Sequence, residues 1–386
     1  MSVATRKEPP NLRILKLTFL HFATGMALYL AALAAAVWLV PDLVRLGSAR
    51  NPEGWILAHL LLIGFATTVA MGASFQITQV ILRTSLFSRG LGYVQYGFHM
   101  LGFFGLLAGL FADMRLAVAG GACLLAGGVL YAVNLGATMA RRRERNLFVF
   151  GSGLSVLALL AAMLLGAAMG LSFAYGWNAV HHGRMFGSHL WSGIGGWLAG
   201  LILVYSFKLL PMFYVSRKKL PRSSYAIVGL HHLGVWLQGA AQWGSPGPDP
   251  GSGAGRPGLA DSIGPWLDDI GTILLLIAWG WFAVYLLQVR RLIGGKQPVG
   301  AVKVAFWLIP AVGVLFLAWS VLKWAGADGD GRPRRSPPLS SSGGSRGRSW
   351  PTCPRSCRSS GGRTAFAARK TKSRRPFCRT CCPKGA

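Results

Sequence analysis

Apolar runs with few charges fall near residues 14–40, 55–82, 92–112, 116–139, 147–174, 186–214, 224–243, 266–289 and 303–324. A hydrocarbon core ~30 Å thick takes about 20 helical residues to cross, so runs of this length read as membrane spans. They predict an all-α fold: a polytopic transmembrane helix bundle of about nine helices over residues 14–326. A short segment (1–13) precedes the bundle and a tail (327–386) follows it. The first run is long and lacks a small-residue cleavage site, which predicts a retained helix rather than a cleaved signal peptide.

The polar positions between the runs alternate in charge. Arg6, Lys7 and Arg13 precede the first run, Arg83 and Arg89 follow the second, and Arg141, Arg142, Arg143 and Arg145 follow the fourth. Arg217, Lys218, Lys219 and Arg222 follow the sixth, and Arg290, Arg291 and Lys296 follow the eighth. The loops in between are nearly neutral, with Asp42, Arg45, Arg50 and Glu53 in one, Asp113 and Arg115 in the next, then Arg184, then Asp249, Arg256 and Asp261. All the basic loops fall on one side, which the positive-inside rule assigns to the cytoplasm. The expectation is a multi-pass protein of the cytoplasmic membrane with its N-terminus inside.

Composition supports the lipid bilayer as the main partner. The chain is 52% hydrophobic and 13% charged, with a mean hydropathy of +0.44. Soluble domains carry about 25% charged residues. The net charge of +29 invites a nucleic-acid reading, but its distribution argues against one. Residues 331–386 hold 15 Lys and Arg and no acid, and the remaining excess lies in the basic loops. No nucleic-acid partner is expected for the bundle. Gly244–Gly264, rich in Gly and Pro, reads as a disordered outer loop.

Nine spans would export the basic tail, and its composition offers a resolution. It is rich in Arg, Ser, Pro, Gly and Cys, as GC-rich DNA gives when read out of frame. Regrouping the codons of Ser349–Phe366 one base earlier permits L-A-Y-L-S-K-I-V-P-F-L-W-W-A-H-R-F. That product is apolar, and its Y-x-x-K-x-x-P pattern repeats Tyr205, Lys208 and Pro211. The tail is therefore read as out of frame, replacing a tenth helix. The alternatives are a basic tail that binds anionic lipid or nucleic acid, or a metal site at Cys378, Cys381 and Cys382 without a second spaced pair.

Ionisable groups inside spans are costly and default to a functional hypothesis. Acids are nearly missing from the runs, which weakens ion-coupled transport; histidines are what remain. His21, His59, His99, His189, His231 and His232 lie within five runs, with His181 and His182 beside the sixth. Neutral imidazoles in such a setting suit iron or copper, although a packing histidine would simply donate to a backbone carbonyl. His59 and His189 lie at the same depth, about one turn inside the outer surface, so they are the candidate axial ligands of one haem. His21, His99 and the His231–His232 pair lie deeper and are candidates for a second metal centre. A duplication is also visible. Gly64-Phe65 and Ser74-Phe75 recur as Gly196-Trp197 and Ser206-Phe207, offset by 132 residues, while the histidines are out of register by two.

His59-Leu60 with Gly64-Phe65 and then Met71–Gln76 (MGASFQ) resembles helices of the haem–copper oxidase catalytic subunit. So does His189-Leu190-Trp191-Ser192 with Gly195-Gly196-Trp197 and the KLLPMFY stretch, including its likeness to small NnrS-like haem and copper membrane proteins. The resemblance covers roughly residues 14–325. It implies b- or o-type haem held by bundle histidines (His59, His189, His21, His99), copper at the His231–His232 doublet, and reduction or binding of O2 or NO with electrons from quinol or a cytochrome. No histidine is followed four residues later by tyrosine, so the cross-linked pair of many oxidases is missing. A haem-modifying synthase would use similar histidines. The alternative from another class is a permease, or a sensor of haem, metal or nitric oxide.

Overall fold

The computed structural model describes residues 10–48, 50–141, 146–244, 259–293 and 300–324, and the tail reading therefore lies outside the described residues. Every apolar run becomes helix: α1 (Pro10–Leu46), α2 (Pro52–His59) continuing into α3 (Thr68–Leu82), α4 (Arg89–Phe111), α5 (Met114–Ala140) and α6 (Leu147–Tyr175). After a single 3₁₀ turn come α7 (His182–Leu190) continuing into α8 (Gly200–Phe213), then α9 (Ser223–Ala241), α10 (Leu259–Arg291) and α11 (Gly300–Trp324). Among the described residues, seven helical rods are long and apolar enough to cross a membrane. The rod Ser223–Ala241 is not one of them, because His231, His232 and Gln238 lower its apolarity. In α11 the apolar stretch Phe306–Leu322 is shorter. The chain is an all-α polytopic bundle suited to a bilayer.

Its exterior is apolar, unlike that of a soluble protein, and its largely apolar interior also holds polar groups. Trp38 is 81% exposed and Phe111 84% exposed, and they belong to a broad apolar exterior. His21, Thr68, Gln95, His99 and Asn134 are fully buried. Lipid solvates the first set, while the second must find partners inside the protein.

Local chemistry sets the helix ends. Asn51 caps α2 by accepting from the Gly54 amide at 2.8 Å, with Pro52 opening the helix, where a missing N–H costs nothing. The basic loop before α4 is pinned by α5: Asn134 accepts from the Ser88 amide and donates to its carbonyl, and Thr138 accepts from the Phe87 amide. α6 ends on Gly176, whose φ of +68° gives the left-handed turn that favours glycine. Helices α4 and α5 pack along each other, as do α9 and α10, α5 and α6, and α1 and α3. The α4–α5 approach is close: a Cβ on Gly102 would lie 2.7 Å from the Gly120 carbonyl oxygen.

Two details depart from the expectations. α10 begins at Leu259, so Leu259–Gly264, read as disordered loop, is helical, while residues 245–258 lie outside the described residues. Asp268 and Asp269 then sit inside this span near its start, so the interior is not free of acids. The Asp268 carbonyl accepts from the Gln238 amide and the Thr272 hydroxyl, tying α10 to α9.

Candidate functional site

Two helical rods share an irregularity. Between α2 and α3 the chain forms a π-helical segment, Leu60–Thr67, and between α7 and α8 a second, Trp191–Ala199. π-segments widen the helix by one residue per turn and occur often at functional sites. Each follows a histidine near the neutral-loop end of its rod: His59 directly, His189 after one intervening residue, Leu190. The second segment is also one residue longer. Those two insertions account for the two-position slip of the histidines, and beyond the segments the rods run in the 132-residue register. The rods also bond across: Trp197 Nε1 donates to Thr67 Oγ1 at 3.1 Å, and Tyr205 donates its hydroxyl to Ser74 Oγ at 2.6 Å.

The histidines themselves meet. The His59 and His189 ring centres lie 6.5 Å apart with their planes inclined at 36°. His59 Nδ1 donates to the Trp55 carbonyl at 2.6 Å, one turn back along α2. His189 Nδ1 donates to the Ala162 carbonyl of α6 at 2.8 Å, with Gly166 leaving room beside the ring. A carbonyl can only accept, so both Nδ1 atoms carry the proton and both Nε2 atoms are bare lone pairs. A carbonyl on one ring nitrogen is the usual support for metal at the other. With bonds of ~2.0–2.1 Å, two imidazoles on opposite sides of one metal have centres about 6 Å apart. Aromatic groups border this end: the Trp55 and Phe173 ring centres lie 5.1 Å apart, and those of Phe173 and His182 4.1 Å apart with the planes inclined at 63°. His182 opens α7, and His181 closes the turn before it.

The His231–His232 doublet is buried in α9, with its rings perpendicular and 5.0 Å apart. His231 Nε2 donates to the Gly195 carbonyl of the second π-segment at 3.1 Å, and its Nδ1 has no partner. His232 Nδ1 donates to the Val228 carbonyl at 3.0 Å, leaving Nε2 3.3 Å from Ser155 Oγ. Packing is tight there, since a Cβ on Gly200 would lie 2.8 Å from His232 Nε2. Among the described residues, no group of three His, Cys, Asp or Glu side chains gathers as a metal site would.

His21 and His99 lie apart from the outer pair, in the interface of α1, α3 and α4, and both are fully buried. His21 packs edge-on against Tyr96 and Phe75. His99 bonds Thr68 Oγ1 at 3.0 Å. Met71, Gln95 and Thr68 complete this region, and sequence reasoning passed over all three. The available signal was the one-turn spacing of Gln95 and His99.

Compared with protein-family models, curated proteins and solved structures, the chain matches none.

Proposed function

We propose that this is a haem-binding redox protein of the cytoplasmic membrane, with its N-terminus in the cytoplasm and His59 and His189 as the two axial ligands of one b- or o-type haem. The observation that carries this reading is the pair itself. The ring centres lie 6.5 Å apart on two separate rods with their planes inclined at 36°, and each ring is proton-fixed by a backbone carbonyl so that Nε2 is the free donor. Haem would supply one-electron chemistry there, while the protein sets ligand identity, burial and access.

The chain's own contribution is to hold the two imidazoles. Trp55 and Ala162 carbonyls orient the rings, and the Trp197–Thr67 bond joins the rods deeper in the bilayer. With both imidazoles holding it, the haem would supply electron transfer. Reduction of O2 or NO, implied by the resemblance to haem–copper oxidases, would then need a second centre with an open position, fed by quinol or a cytochrome. The His231–His232 doublet is the candidate copper site for that step, with His231 Nδ1 its unpartnered nitrogen.

A dithionite-reduced minus oxidised spectrum and a pyridine haemochrome assay on the detergent-purified full chain test this reading. Sharp reduced bands at about one haem per chain, lost in His59→Ala and in His189→Ala, are expected. A colourless preparation from haem-replete cells would overturn it and favour the permease or sensor reading.

A further inference from the structure

The interface of α1, α3 and α4 collects electron-pair donors with nothing to accept from them. The His21 Nδ1 proton goes to the Leu17 carbonyl at 2.9 Å, so Nε2 is a bare lone pair, and it is buried without a partner. Thr68 donates its hydroxyl proton to the Ile63 carbonyl at 3.0 Å, so it accepts from His99 Nε2, which leaves His99 Nδ1 as a second buried, unpartnered lone pair. Gln95 donates Nε2–H to Met71 Sδ at 3.2 Å. A thioether only accepts, and with the amide in this orientation Gln95 Oε1 is a third unpartnered acceptor.

These groups are contiguous. Gln95 lies beside the His21 ring and one turn from His99 on α4, and Met71 lies one turn from Thr68 on α3. Small residues let the backbones close around them: a Cβ on Gly72 would lie 2.5 Å from His21 Cβ, and one on Gly127 3.1 Å from the His99 amide nitrogen. His21, Met71, Gln95 and His99 are all fully buried. Among the described hydrogen bonds none of these three acceptors has a donor. An electrophile can satisfy them together.

We infer that His21 Nε2, His99 Nδ1, Met71 Sδ and Gln95 Oε1 form a binding site for a soft monovalent cation, Cu(I) being the fitting ion. Thioether and imidazole ligands select Cu(I) over hard cations. All four donors are neutral, and a neutral set in a low-dielectric interior favours a single positive charge, because the desolvation cost rises steeply with charge. The site is distinct from the His231–His232 doublet and from the outer pair, and it does not depend on haem.

The test loads the full-length protein anaerobically with Cu(I), and separately with Ag(I), against a competing chelator, then measures retained metal and the copper X-ray absorption spectrum. One tightly held equivalent with a sulfur scatterer is expected, in addition to any copper held at the His231–His232 doublet. Affinity should fall about tenfold or more in His21→Leu and His99→Leu, at least the loss caused by removing an outer-shell partner of a metal ligand. Met71→Leu, nearly isosteric, should lose the sulfur scatterer while keeping nitrogen. Helical content by circular dichroism separates ligand loss from misfolding, and haem bands read in the same sample keep this result separate from the haem reading. No retained metal would mean that waters satisfy the lone pairs, and would overturn the inference. So would retention unchanged by these substitutions but lost in His231→Leu.

Discussion

The two histidine regions differ in what confronts the free nitrogen. At the outer pair, two half-buried rings from different rods approach each other, each anchored by a carbonyl on its far side. In the interface of α1, α3 and α4, the free nitrogens of His21 and His99 are sealed in among an amide oxygen and a thioether, with no donor reaching them. The first arrangement suits a large planar group entering from one end; the second suits a bare ion. Imidazoles of one tautomeric logic can thus be sorted by their surroundings alone.

Removing an outer ring should have the largest effect. His59→Ala and His189→Ala should each abolish most of the haem absorbance, and the optical spectrum of the purified variant checks it. Next comes Gly72→Ala, which forces a methyl group onto His21 Cβ. Overpacking of this kind costs about 1–3 kcal/mol. Thermal unfolding in detergent should show it, and outer-pair haem bands should remain at permissive temperature. Trp197→Phe removes the bond to Thr67 and also shrinks a fully buried ring that packs on Tyr131; the bond alone is about 0.6–1.7 kcal/mol for hydrogen bonds between membrane helices. The smallest effect is expected from Gly166→Ala, whose new methyl would lie 3.2 Å from His189 Cε1. It should shift the haem band positions without lowering haem content. A Gly166→Ala protein with unshifted bands would remove Gly166 from the pocket.

The bundle was legible because lipid-facing residues such as Trp38, Leu101 and Phe111 must be apolar over a whole span, so length and hydropathy suffice. The closeness of His59 and His189 was legible from their positions along the rods, given the alternation of basic and neutral loops. The π-segments were not: Leu60–Thr67 and Trp191–Ala199 are apolar or small throughout, and eight or nine residues cannot distinguish i+4 from i+5 bonding. Their trace was the two-residue slip in the repeat. Met71, Gln95 and Thr68 were illegible for another reason. A single polar group in a span is compatible with many partners, and only tertiary packing shows which one it lacks. Sequencing the gene around the codon for Asp330 would show whether the tail is in frame; an intact frame carried by close relatives would end that reading.

The central claim is that His59 and His189 share one haem iron, and the spin state of the oxidised protein tests it most directly. Electron paramagnetic resonance should show a low-spin ferric signal in the unmodified chain, loss of that signal together with the haem in His189→Gly, and its return when haem and free imidazole are supplied together. A spectrum unchanged by His189→Gly would contradict the account.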